Sequence, residues 1–253
     1  MKPLFVGAIV FVCTFLGAQF GMWLSAALPK HHLDDQSKDS IRVGIGLIAT
    51  MTALVLGLIT ASAKSSYDTV ETEVRTTATE ILTLDRLLAR YGPETGAIRV
   101  TLKRSIEQRV DAIWPQASSP RAQVDPSASL SAPEALLEQI RALTPYNASQ
   151  QAIQSRALEL CETLLKVRWM VVAQANQSIP LPFLVILLFW LTITFTSIGL
   201  FAPKNTTVVA VQFVCALSIS SALFLVLELN EPFDGLLKVS AEPMLYALAH
   251  INL

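Results

Sequence analysis

Carboxylates crowd the stretch LELNEPFDG at residues 227–235, where Glu228, Glu231 and Asp234 follow directly on an unbroken apolar run. Such a cluster offers a ligand site or a family signature, and its plainer reading is the point where a helix leaves a membrane. A second group, His31-His32-Leu33-Asp34-Asp35, mixes imidazole and carboxylate, both of which ligate zinc. Neighbouring ligands in one short loop fit a tetrahedral ion poorly, and no cysteine assists them. The loop is therefore read as solvated or at headgroup level, and no metal site is assigned. A third group is Lys64, Ser65, Ser66 and Asp68, with Tyr67 among them. Lys64 can snorkel and Tyr67 can anchor at a membrane interface. The same residues would make an ion-attracting mouth if the helix before them lined a pore.

Sequence signals for covalent chemistry are weak. Val43–Ala49 contains the pattern GxGxxA, but a dinucleotide fingerprint needs a strand before it and a helix after it, whereas this one lies inside a hydrophobic run. No nucleophile elbow, phosphate-binding loop or basic-aromatic stripe is present. No cofactor is implied, and the chain is not read as an enzyme. A net charge of −1 gives no electrostatic reason for a nucleic-acid partner. Cys13, Cys161 and Cys215 are far apart in apolar sequence and read as buried thiols, not as a disulfide framework.

The elements that carry these groups are set by hydropathy. Of the 253 residues, 52% are hydrophobic and only 15% charged, below the roughly 25% charge of soluble domains. Four apolar runs stand out, at 4–28, 41–63, 181–201 and 206–227. A membrane crossing needs about 20 apolar residues, and each run suffices. The first is too long for the core of a signal peptide, although Ser25-Ala26-Ala27 resembles a cleavage site. The predicted fold is an all-α membrane protein with four transmembrane helices and a long-helix domain, residues 64–179, inserted between spans two and three. Residues 228–253 form a tail. The slight excess of Lys and Arg on one side of the spans places both termini and the inserted domain in the cytoplasm.

Within the inserted domain, Tyr67, Val70, Val74, Thr77, Ile81, Leu84, Leu88 and Tyr91 step by three and four, the seam of a packed helix. Gly92 and Pro93 end it. A second helix is expected over 97–114, a loop over 116–132, a short helix over 133–143, and a last helix starting near Asn147 or Ser149. The second span has two faces. Ala49, Ala53, Gly57 and Ala61 form a smooth one suited to close helix packing. Gly44, Ile48, Met51, Val55, Leu58 and Ser62 form a bulkier one, which either touches lipid or, in an oligomer, lines a pore with a hydrophobic constriction. The spans carry no charge beyond their ends, which argues against a proton-coupled transporter.

The stretches at 28–69, 162–169, 179–205 and 223–240 resemble the bestrophin-like family of bacterial membrane proteins, and the resemblance runs over nearly the whole chain. It extends more distantly to the bestrophins, which have two spans, a cytosolic helical domain and two further spans, assembled as pentameric ion channels with the second span lining the neck. Glu231-Pro232-Phe233-Asp234-Gly235 is similar to the Asn/Asp-Pro-Phe-Gly segment that follows the last bestrophin span, with Asp inserted before Gly. The acidic run that binds calcium in animal bestrophins is replaced by Leu236-Leu237-Lys238, and the aromatics of the bestrophin neck are missing from span two. The resemblance implies a homo-oligomeric ion channel of a bacterial inner membrane, by analogy a pentamer, whose partners are membrane lipid and inorganic ions. The alternatives are a non-conducting membrane scaffold or sensor whose helical domain binds a partner, and a membrane enzyme acting on lipids through the His31–Asp35 loop.

Overall fold

The computed structural model describes residues 3–29, 35–115, 126–174, 181–233 and 235–251, and their side chains except at 35–37, 126–133 and 167–174. His31, His32, Asp34 and Asp234 lie outside the described residues, as does the Asp35 side chain. The described residues form α1 (Pro3–Ala27), α2 (Asp35–Tyr91), α3 (Gly96–Ile113), α4 (Pro126–Arg141), α5 (Ala148–Gln174), α6 (Leu181–Leu200), α7 (Thr206–Leu229) and α8 (Glu242–His250). No strand occurs among them. By length and composition α1, α2, α6 and α7 can each cross a membrane.

Local chemistry sets several boundaries. Asn205 caps α7, its side-chain oxygen accepting the Val208 N–H at 2.8 Å. Asn147 does the same for α5 through Gln150 N–H at 2.8 Å. Both satisfy a donor that a helix start leaves without a partner. Two helices begin where the sequence suggested irregular chain. The loop expected over 116–132 gives way to α4 at Pro126, and α8 occupies part of the tail. In both, a proline stands in the first turn, where its missing N–H costs nothing and its fixed φ suits a helix.

The chain divides into two units: 1–67 with 178–237, and 68–177 with 238–253. In the membrane unit α1 packs on α6 and α7. Val10, Leu187, Leu191 and Leu223 form one core, with Val55 and Leu56 of α2 laid against it. Ala18, Phe195 and Ala216 form another, flanked by Phe11 and Phe15. Phe213 meets both of those rings edge-on, at 5.3 and 5.7 Å between centroids. Glycine permits the closest approach. A Cβ on Gly21 would run into the Thr196 carbonyl, and one on Gly199 into the Ala18 carbonyl. Such backbone-to-backbone contact is how small residues hold helices together in lipid.

In the helical unit the seam of α2 is inward. Val70, Val74, Ile81, Leu84, Leu88 and Tyr91 are buried, together with Ile98, Leu102, Ile106 and Val110 of α3. Thr95, in the short turn between α2 and α3, donates its hydroxyl proton to Leu88 O at 2.5 Å. The Trp114 indole donates to Val239 O at 2.8 Å and ties the C-terminal segment to the end of α3.

Candidate functional site

The membrane half of α2 is the most exposed of the four spans. In its most apolar stretch 6% of residues are buried, against 33% for α1 and 22% for each of α6 and α7. One narrow face turns to the chain's own helices, through Ile45, Ile48, Thr52, Leu56, Ile59 and Ala63. Successive residues turn about 100° around a helix, so Val43, Leu47, Leu54 and Ala61 stand opposite that face, and all four are exposed. Three threonines sit in the apolar stretch without needing water. Thr50, Thr52 and Thr60 each donate to the carbonyl four residues earlier, at 2.7 Å.

The two faces expected from sequence flank the inward one. Of the bulky set, Gly44, Met51, Leu58 and Ser62 are exposed, whereas Ile48 and Val55 are half-buried and Val55 packs on the Val10 core. Of the small set, Ala49 is half-buried and Ala53, Gly57 and Ala61 are exposed. A Cβ placed on Gly57, Gly44 or Gly46 would meet nothing within 4 Å. Lys64, Ser65, Ser66 and Asp68 are exposed at the end of the span, and the Lys64 ammonium stands 5.4 Å over the Tyr67 ring. That distance suits a cation–π contact.

The tail motif is built around Glu228, which the sequence could not single out from its acidic neighbours. Its side chain is buried in the last turn of α7, and Oε2 accepts the Leu236 N–H at 2.6 Å. Gly235 has φ 88°, and a Cβ there would strike the Glu228 carboxylate. Glycine is thus required twice over, by backbone conformation and by space. Glu231, Pro232 and Phe233 are half-buried, and Asp234 is outside the described residues. Glu228 shapes the turn, while Glu231 donates its own N–H to Glu228 O at 3.1 Å.

Two further polar arrangements escaped the sequence reading. Asp85 sits among seam leucines and is fully buried, and Arg99 grips it through Nε at 2.7 Å and Nη2 at 2.9 Å. That bidentate bond pushes the guanidinium still further above its ordinary value. A lone acid inside the run ILTLDRLLARY, with a basic residue soon after the Gly92-Pro93 turn, was the available signal. In the membrane unit, Gln19 donates to Gln212 Oε1 at 3.3 Å. Elsewhere, burial pushes the Cys161 thiol up to about 12, so it stays protonated and unreactive. Among the described residues no group of three or more His, Cys, Asp or Glu could hold a metal ion.

Comparison with known proteins agrees with this architecture. A family model, the bestrophin-like domain, matches residues 12–244. Comparison with curated proteins gives no match. Among solved structures, the crystal structure of a point-mutated bacterial bestrophin homologue from Klebsiella pneumoniae is similar, with a TM-score of 0.64 and 14% identity. The likeness covers 99% of this chain and 98% of that one, and at such identity it is one of fold. With four apolar helices, the same fold and a family model matched over most of its length, the chain belongs to the bestrophin-like family of membrane proteins.

Proposed function

We propose that this chain is one subunit of a homo-oligomeric ion channel in a bacterial inner membrane, with α2 nearest the axis and both termini in the cytoplasm. The observation that carries the reading is the bareness of α2: a charge-free span with one face on its own bundle and the rest exposed among the described residues. A ring of copies supplies what is missing. The small flank, Ala53 and Gly57, can receive the bulky flank of the next copy, Met51 and Leu58, in a head-to-tail contact that closes when the rotation is right. The face opposite the bundle then looks at the axis. That face holds Val43, Leu47, Leu54 and Ala61, so the lining proposed from sequence turns: Ile48 and Val55 leave it, while Gly44, Met51, Leu58 and Ser62 stay at its border. Apolar rings of this kind gate ion flow by dewetting. Lys64, Ser65, Ser66 and Asp68 form the cytoplasmic mouth, and the pentamer of the bestrophins is the expected ring.

The test is ion flux from liposomes holding the full-length protein. Flux that falls when Leu54 is changed to Trp supports the reading. Absence of flux beside a working control channel contradicts it. One observation favours the second reading, a helical domain that binds a partner. A groove of about 460 Å³ runs between Arg75, Ala78 and Leu82 of α2 and Val239, Pro243 and Tyr246 of the C-terminal segment. A partner that binds there should be lost on Tyr246→Ala, with flux unaltered.

A further inference from the structure

The turn after α7 exposes two leucines among the described residues. Leu236 is 80% exposed and Leu237 40%. Such exposure is ordinary for a mobile tip, but this turn is built. The buried Glu228 carboxylate holds Leu236 N–H at 2.6 Å, and Gly235 takes a positive φ in a space that admits no side chain. A buried carboxylate and an obligatory glycine together fix where Leu236 stands.

That place is also fixed in depth. Glu228 belongs to the last turn of α7, one of the four membrane-crossing helices. A residue bonded to it through the main chain stands at the level where the span ends. The span leading there exposes apolar side chains, Val214, Leu217 and Leu225, suited to lipid. At this level water gives way to acyl chains.

We propose that Leu236 and Leu237 are a membrane-interface anchor: the Glu228–Gly235 turn presses them into the acyl–headgroup boundary. The occupant is the bilayer itself, in continuity with the apolar surface of the spans. Whether the protein conducts ions does not enter.

The experiment is nitroxide accessibility in the full-length protein, reconstituted in phosphatidylethanolamine–phosphatidylglycerol liposomes. Cys13, Cys161 and Cys215 are replaced by alanine, and one label is placed by Leu236→Cys. Leu225→Cys reports the lipid-facing span and Tyr146→Cys an aqueous surface. Power saturation compares collision with dissolved oxygen and with a water-soluble nickel complex. The anchor predicts an oxygen-to-nickel ratio at position 236 several-fold above that at 146 and close to that at 225. A ratio like that of 146 places the turn in water and overturns the proposal. Protection from both agents also overturns it, since a second copy of the chain would then cover the leucines. Leu237→Cys gives the same three-way answer if the first label disturbs folding.

Discussion

α1 and the membrane half of α2 are comparably apolar, and both contain glycines, yet they use them differently. In α1, Gly17 and Gly21 lie against Thr192, Thr196 and Leu200 of α6, with no room for a larger side chain. In α2, Gly44, Gly46 and Gly57 face open space. α1 is a core helix of its own chain. α2 is attached along one face, and its remaining surface is left for lipid or for other copies. The same helix changes character beyond the membrane, where its seam is buried and the fully buried Asp85 is paired with Arg99. Commitment within the chain, not hydropathy, separates α1 from the span proposed to stand nearest the axis.

The comparison breaks most sharply at the glycines. Gly21→Leu puts a side chain onto the backbone of α6 and should abolish the folded membrane unit, read as loss of a monodisperse peak in detergent. Gly57→Leu should leave that unit folded, with any loss confined to assembly or flux. Equal damage from the two would erase the distinction drawn here. Next in size is the half of α2 outside the membrane. Arg99→Ala leaves the buried Asp85 carboxylate unpaired and should cost about 3–5 kcal/mol in denaturant melts, with Arg99→Lys recovering only part, since it cannot reproduce the bidentate grip. Gly235→Ala, which forces a side chain into positive φ against Glu228, should cost about 1–3 kcal/mol.

The smallest effect should be a gain. Burial pushes the Glu80 carboxyl above its ordinary value, and its Oε2 has no hydrogen-bond partner among the described residues. A carboxyl raised in the fold contributes stability fully below its unfolded pKa and loses it as pH rises through the folded one. Glu80→Gln removes that loss. It should raise stability at neutral pH by no more than about 0.5 kcal/mol, and the gain should vanish below the ordinary glutamate pKa. A gain that persists in acid would assign the effect to something other than ionisation.

Much of this was written in the sequence. Charge-free runs of span length dictated α1, α6 and α7, and three-four spacing from Tyr67 to Tyr91 dictated the buried seam of α2. What could not be read depends on direction or on distant partners. An all-apolar span has no amphipathic period, so nothing in residues 43–63 says that Thr52 and Ala63 face the chain's own helices. Gly17 and Gly21 form a small-xxx-small pair in the sequence, but the residues they lie against, Thr192, Thr196 and Leu200, are far along the chain. Glu228 looked like one acid of three until the turn at Gly235 brought Leu236 back to it. The Ser-, Ala- and Pro-rich composition of 116–132 reads as a loop, yet Pro126 stands at the start of α4, where its missing N–H costs nothing.

One measurement bears most directly on the proposed axis: flux through liposomes carrying Leu54→Cys, with Cys13, Cys161 and Cys215 replaced, before and after a charged thiol reagent. The account predicts ion flux that the reagent abolishes, while the same reagent leaves Leu225→Cys on α7 unaffected. Flux that survives modification at position 54, or no flux in either variant beside an active control channel, would contradict it.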